Sequence, residues 1–239
     1  MRRLALAILL VLCCAACISR GQRYESFTVP TPIAQDEFLV LGFVGGRVSW
    51  DSAKEGVRHL ALRIRAMNLP NVYVETVENQ KRHLAIRLIQ SVIDRNRDGV
   101  LQDAESQSAR VILYGQSFGG AAVVKLARQL DALRVPVRLM IQIDSVGRHD
   151  HVVPSNVSRA ANLYQRNGLI IRGEPAIRAA DPSKTRIIGN FRFDYSHSKI
   201  DISKVPWWKK LFRTAHTRMN FDPEVWQKVE SLILDEIAL

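Results

Sequence analysis

The chain has 239 residues, 47% of them hydrophobic and 24% charged, enough for one well-filled core and too few for two ordinary enzyme domains. Its formal net charge of +11 comes from basic residues scattered singly, among them Arg58, Arg63, Arg65, Lys81, Arg82 and Arg87. Such a charge can mean nucleic acid, but with no basic run interleaved with aromatics and no nucleic-acid motif it reads instead as a solvated surface or an envelope protein facing anionic lipid, and no nucleic-acid partner is expected.

The first stretch, MRRLALAILLVLCCAAC, has Arg2 and Arg3 ahead of a short apolar run from Leu4 to Leu12, followed by small residues. It reads as a secretory signal over residues 1–17, too short to span a membrane. All three cysteines, Cys13, Cys14 and Cys17, lie within it. The CAAC segment resembles a bacterial lipoprotein processing site, although Cys14 stands where leucine is usual. Lipidation at Cys17 is one expectation and plain secretion the other. Either way the protein belongs in the periplasm, on the envelope or outside it. The mature chain would have no cysteine for a disulfide, a thiol nucleophile or a Cys-based metal site. Without Arg2 and Arg3, 32 basic residues face 23 acidic ones, a net +9.

A polar, Pro-containing linker is expected over 18–36, and a single domain over 37–239. EFLVLGFVGG is an apolar run ending in glycines, as a buried parallel strand does. DSAKEGVRHLALRIRAMNLP follows with apolar residues at helical spacing: Val57, Leu60, Ala61, Ile64 and Met67. NVYVETV reads as a strand, NQKRHLAIRLIQSVID as a helix and ARVILYGQS as a third strand. FGGAAVVKLARQLDALR is a third helix and VPVRLMIQIDSVG a fourth strand. Strands alternating with helices predict an α/β fold with a mainly parallel central sheet and helices on both faces. Beyond Gly147 the pattern weakens: AANLYQ and TRIIGNFRF read as strands, and DPEVWQKVESLILDEI is a closing helix with Asp222 as N-cap and Pro223 in its first turn.

Gly115-Gln116-Ser117-Phe118-Gly119 is a G-x-S-x-G pattern between an apolar strand and a helix of small residues. That setting suits a nucleophile elbow, in which the serine sits on a strained turn and small residues on either side prevent clashes. A phosphate loop would want a lysine after the glycines, and none is present. With this motif the chain resembles the α/β-hydrolase superfamily over about residues 37–239. The resemblance implies a triad in the chain order serine, acid, histidine. It also implies an oxyanion hole from the amide of Phe118 and, through LGFVGG, that of Phe43.

For the base, His216 in TAHTRMNFDPEVW precedes the closing helix, where the superfamily carries its histidine; His197 in DYSHSK is the alternate. His59 and His83 fall on helices well before the elbow and read as surface or packing residues. For the acid, Asp144 ends the strand after the nucleophile strand, and Asp150 in DHVVP is the alternate, with Asp194 third. Ser117, His216 and Asp144 together predict hydrolysis of a carboxylic ester or thioester, with a small-molecule or lipid ester as substrate.

DRNRDGVLQDAE, residues 94–105, resembles an EF-hand calcium loop. Asp94, Asn96 and Asp98 stand at positions 1, 3 and 5, Gly99 at 6, the Val100 carbonyl at 7, Gln102 at 9 and Glu105 at 12. The spacing predicts one structural Ca²⁺ on the connection into the serine strand, remote from the serine itself. No organic cofactor is called for. KVPWWKKLF concentrates Trp207, Trp208, Leu211 and Phe212 with Lys204, Lys209 and Lys210, and is either a core helix or part of a lid over 194–215 that touches a membrane surface. A monomer is expected. The competing reading is a non-catalytic, calcium-stabilised binding protein of the envelope on a hydrolase scaffold.

Overall fold

The computed structural model describes residues 21–168, 171–197, 200–203, 205 and 214–239. Cys17 and the rest of the signal segment lie outside these residues, as does nearly all of 204–213.

Six strands form one parallel sheet: β1 (Phe38–Val44), β2 (Val72–Glu78), β3 (Val111–Gln116), β4 (Val137–Ile143), β6 (Val157–Gln165) and β8 (Arg186–Phe193). Their order across the sheet is β2-β1-β3-β4-β6-β8, with β5 (Val152–Val153) and β7 (Arg178–Ala179) paired separately. The sheet is covered on both faces, and the pleat of β1 accounts for this. Leu39, Leu41 and Phe43 point into one core with α2 (Arg82–Ile93) and α4 (Phe118–Ala132). Phe38, Val40 and Val44 point into the other with α1 (Gly56–Ala66) and α6 (Pro223–Ile237). Among the described residues no helix is long and apolar enough to cross a membrane.

Several polar groups buried in these layers tie them together. The Tyr114 hydroxyl on β3 donates to the Val57 carbonyl of α1 at 2.9 Å. Glu236 of α6, 1% exposed, accepts from Arg138 of β4 and Arg159 of β6, which fixes the closing helix across two strands. At the start of that helix the Asp222 side chain accepts from the Glu224 amide, with Pro223 in the first turn.

The polar segment 21–36 packs against the fold. Gln22, 3% exposed, donates from Nε2 to the Thr76 carbonyl and accepts the Glu78 amide on its Oε1, so it pairs with edge strand β2 as another strand would. The Glu75 carboxylate accepts the Thr28 amide, the Thr28 hydroxyl and the Val29 amide, and also pairs with Arg65 at 2.8 Å.

The chain runs from β1 outward to β2, then back across β1 to β3 and on to β4. The direction of winding therefore reverses at β1 and β3, and the crevice beyond their carboxyl ends is where an open parallel sheet takes its ligands.

Candidate active site

Ser117 follows β3 directly and opens α4 at that reversal. Its backbone lies at φ 58°, ψ −123°, a region costly for any residue with a side chain. The turn is close enough that neighbouring side chains are excluded. A Cβ on Gly115 would come within 2.4 Å of the Gly119 carbonyl oxygen, and one on Gly119 within 2.0 Å of that of Phe43. The strain is held by strand-end hydrogen bonds: the Ser117 amide donates to the Ile143 carbonyl at 2.9 Å, and the Val146 amide donates to the Ser117 carbonyl at 3.2 Å.

Those two bonds bracket Asp144, which stands between Ile143 and Val146 at the end of β4. Asp144 is fully buried, also with a positive φ of 44°. Its Oδ2 accepts from Gln165 Nε2 at 3.0 Å, and its Oδ1 from the Gln165 amide at 3.4 Å. His216 lies on a short helix, α5 (Thr214–Phe221), where the sequence reads a loop. Its Nδ1 is 2.6 Å from Asp144 Oδ2 and its Nε2 is 2.9 Å from Ser117 Oγ. With the carboxylate accepting Nδ1–H, Nε2 is left as the acceptor for the serine hydroxyl.

What holds α5 in place could not be read from its composition. Tyr195, 4% exposed, donates its hydroxyl to Asp222 Oδ2 at 2.6 Å, and Arg218 of α5 donates to the Tyr195 carbonyl. Burial, and then the Asp222 carboxylate, push the Tyr195 phenol above its ordinary value, which keeps it a donor. The Tyr195 amide in turn donates to Asn167 Oδ1 at 3.0 Å.

The alternates lie elsewhere. Asp150 is buried and accepts the hydroxyl of Ser145; its Oδ1 has no partner among the described residues. His197 is exposed in the turn after Tyr195. Asp194 accepts the hydroxyl and amide of Ser196, which hold its carboxyl down at about 2. Phe118 opens α4 beside the serine with 52% of its surface exposed. Phe43 is inside β1 opposite Gly115, two residues short of the level of Ser117.

The 94–105 loop joins α2 to the short helix α3 (Asp103–Gln107), which leads into the amino end of β3, at the opposite end of that strand from Ser117. Asp94 Oδ2 accepts the Gly99 amide at 3.0 Å, while Asp94 Oδ1 is buried without a partner among the described residues. Asp98 accepts the Val100 amide. The Glu105 carboxylate accepts the amides of Gln102, Arg95 and Asn96, which lower it below its ordinary range. Among the described residues no three His, Cys, Asp or Glu side chains are already drawn together around a metal position.

No protein-family model and no curated protein matches the chain. Among solved structures, a cutinase-like protein from Cryptococcus sp. superposes with a TM-score of 0.45 at 16% identity, over 87% of this chain and 98% of that one. An acetyl xylan esterase superposes with a TM-score of 0.40 at 11% identity, over 84% of this chain and 98% of that one.

Proposed function

We propose that the protein is a serine hydrolase that cleaves carboxylic esters or thioesters with Ser117 as nucleophile, His216 as base and Asp144 as its orienting acid. One observation carries the reading: a single imidazole stands 2.9 Å from the Oγ of a strained serine and 2.6 Å from a buried carboxylate. In the reaction, Ser117 Oγ attacks the acyl carbon as His216 Nε2 takes the hydroxyl proton. The tetrahedral intermediate collapses, the C–O or C–S bond breaks and His216 returns the proton to the leaving alcohol or thiol. Water then attacks the acyl-enzyme, His216 again moves the proton, and a free acid leaves. The Phe118 amide at the α4 N-terminus is one donor for the oxyanion, and the exposed Phe118 ring beside the serine favours hydrophobic or lipid-like acyl groups.

The purified protein, assayed on a series of aryl esters of increasing acyl length, should turn them over and favour the longer chains. On the best of these, His216→Ala should lower kcat by on the order of 10⁴ and His197→Ala should leave it nearly unchanged. Equal losses, or the reverse order, would remove His216 from the mechanism. The expected setting is the bacterial envelope or its exterior, with the chain secreted or lipid-anchored at Cys17.

We further propose that residues 94–105 take one structural Ca²⁺, which the buried, unpartnered Asp94 Oδ1 at the loop's first position favours. Asp94, Asn96, Asp98, the Val100 carbonyl, Gln102 and Glu105 are oxygen donors of the type Ca²⁺ requires, and Glu105 would have to exchange amide partners for the ion. Ca²⁺ at about a hundredfold excess over its Kd should stabilise the protein by ~2.7 kcal/mol, raising Tm by about 5–10 °C for a chain of this size. Mg²⁺ should do much less, and Asp94→Ala should abolish the effect. A Tm indifferent to Ca²⁺ and to chelator would leave the loop as a turn held by its own amides.

A further inference from the structure

We infer that Asn79 is a positioning residue for the proposed hydrolysis: it turns the backbone after β1 so that the amides of Gly45 and Arg47 face Ser117 and complete the oxyanion site. The inference rests on the serine-hydrolase reading and replaces Phe43 as the source of the second donor.

Three adjacent strand ends carry the argument. Val44 of β1 stands opposite Glu78 of β2, and Phe43 opposite Gly115 of β3. One step further on one side and two on the other, Asn79, Gly45 and Ser117 lie at the same level across β2, β1 and β3. The contact between the last two is direct, since a Cβ on Gly45 would come within 2.9 Å of the Gln116 carbonyl oxygen and 3.0 Å of Ser117 Cβ. Only glycine fits there.

Asn79, half-buried, donates from Nδ2 to the Val44 carbonyl at 3.1 Å and also to the Gly46 carbonyl. Both carbonyls therefore point to the β2 side. In a trans peptide the C=O and the following N–H point in opposite directions. The N–H groups of Gly45 and Arg47 are thus aimed away from β2 and toward β3, where Ser117 stands. The Phe43 carbonyl one residue earlier lies against Gly119, where a Cβ would come within 2.0 Å of its oxygen and 3.1 Å of that of Val44. Gly46 sits at φ +58° in open space, so the peptide that follows it rotates at little steric cost, and the bond from Asn79 to its carbonyl fixes it. A flipped peptide would put a carbonyl oxygen where negative charge develops.

The test uses Asn79→Ala and Asn79→Asp, the second keeping the shape while losing the donor. Each is compared with wild type in steady-state hydrolysis of a soluble aryl ester, in inhibition by an aryl boronic acid and in Tm. The boronate forms a tetrahedral serine adduct with an anionic oxygen, so it reads the oxyanion site apart from substrate binding. Both variants should lose about 10- to 100-fold in kcat with KM changed less than about threefold, less than the loss of a donor itself. The boronate Ki should weaken by the same factor as kcat/KM, with Tm close to wild type. Variants that match wild type in kcat, or that lose kcat while the boronate Ki is unmoved, overturn the role of Asn79 alone. A folded wild type that neither hydrolyses esters nor binds the boronate overturns the hydrolase reading and this inference together.

Discussion

Ser117→Ala is expected to lower ester hydrolysis by on the order of 10⁴–10⁶, leaving only the catalysis that binding and the oxyanion donors supply. The size follows from the arrangement. The hydroxyl is the hydrogen-bond partner of His216 Nε2 among the described residues, and its backbone is held at φ 58° by bonds to Ile143 and Val146 that an alanine keeps. Removal of Oγ therefore takes away the nucleophile and leaves the turn. Tm should move little, since the lost contact is a single hydrogen bond to a partly accessible histidine, worth about 1 kcal/mol. Residual activity within tenfold of wild type, in a preparation free of contaminating esterase, would mean that another group does the chemistry.

Asp144→Asn should cost about 10³–10⁴ in kcat, and Asp150→Asn only a few-fold. Asparagine tolerates the left-handed backbone at position 144, so the turn survives and the electrostatics change alone. The carboxylate accepts from three donors: His216 Nδ1, Gln165 Nε2 and the Gln165 amide. An amide offers one oxygen for these three and must turn its NH₂ against a donor. It also carries no charge to stabilise the imidazolium that forms during proton transfer. Asp150 instead receives the Ser145 hydroxyl, which an asparagine oxygen can still accept, so its replacement should be read mainly in Tm. If Asp150→Asn proved the more damaging to kcat at equal stability, the acid would have been misassigned.

The order of strands and helices through β4 was legible because each strand is an apolar run and each helix carries its apolar residues at helical spacing. Residues buried on both faces, such as those of β1, leave an unbroken hydrophobic signal. The G-x-S-x-G turn was legible for a related reason, since tight backbone packing at Gly115 and Gly119 leaves its mark in the sequence itself. Three features were not. TAHTRMNF offers only the pair Ala215 and Met219 to the core, too little to mark a helix, and hydrogen bonds among Tyr195, Asp222 and Arg218, which leave no period, complete its placement. The segment 18–36 reads as a linker because its few apolar residues follow no period; in its described part Tyr24, Phe27, Val29 and Ile33 pack on the core, and Gln22 and Thr28 attach it to β2. And LGFVGG points to Phe43 by likeness of letters, whereas which residue stands level with Ser117 is a matter of register across three strands.

The central claim is an activated serine, and reaction with a fluorophosphonate followed by peptide mapping tests it most directly. The account predicts one phosphonylated residue, Ser117, with labelling lost in His216→Ala and retained in His197→Ala. A folded sample, supplied with Ca²⁺, that takes up no label would contradict the account and favour a binding protein on a hydrolase scaffold.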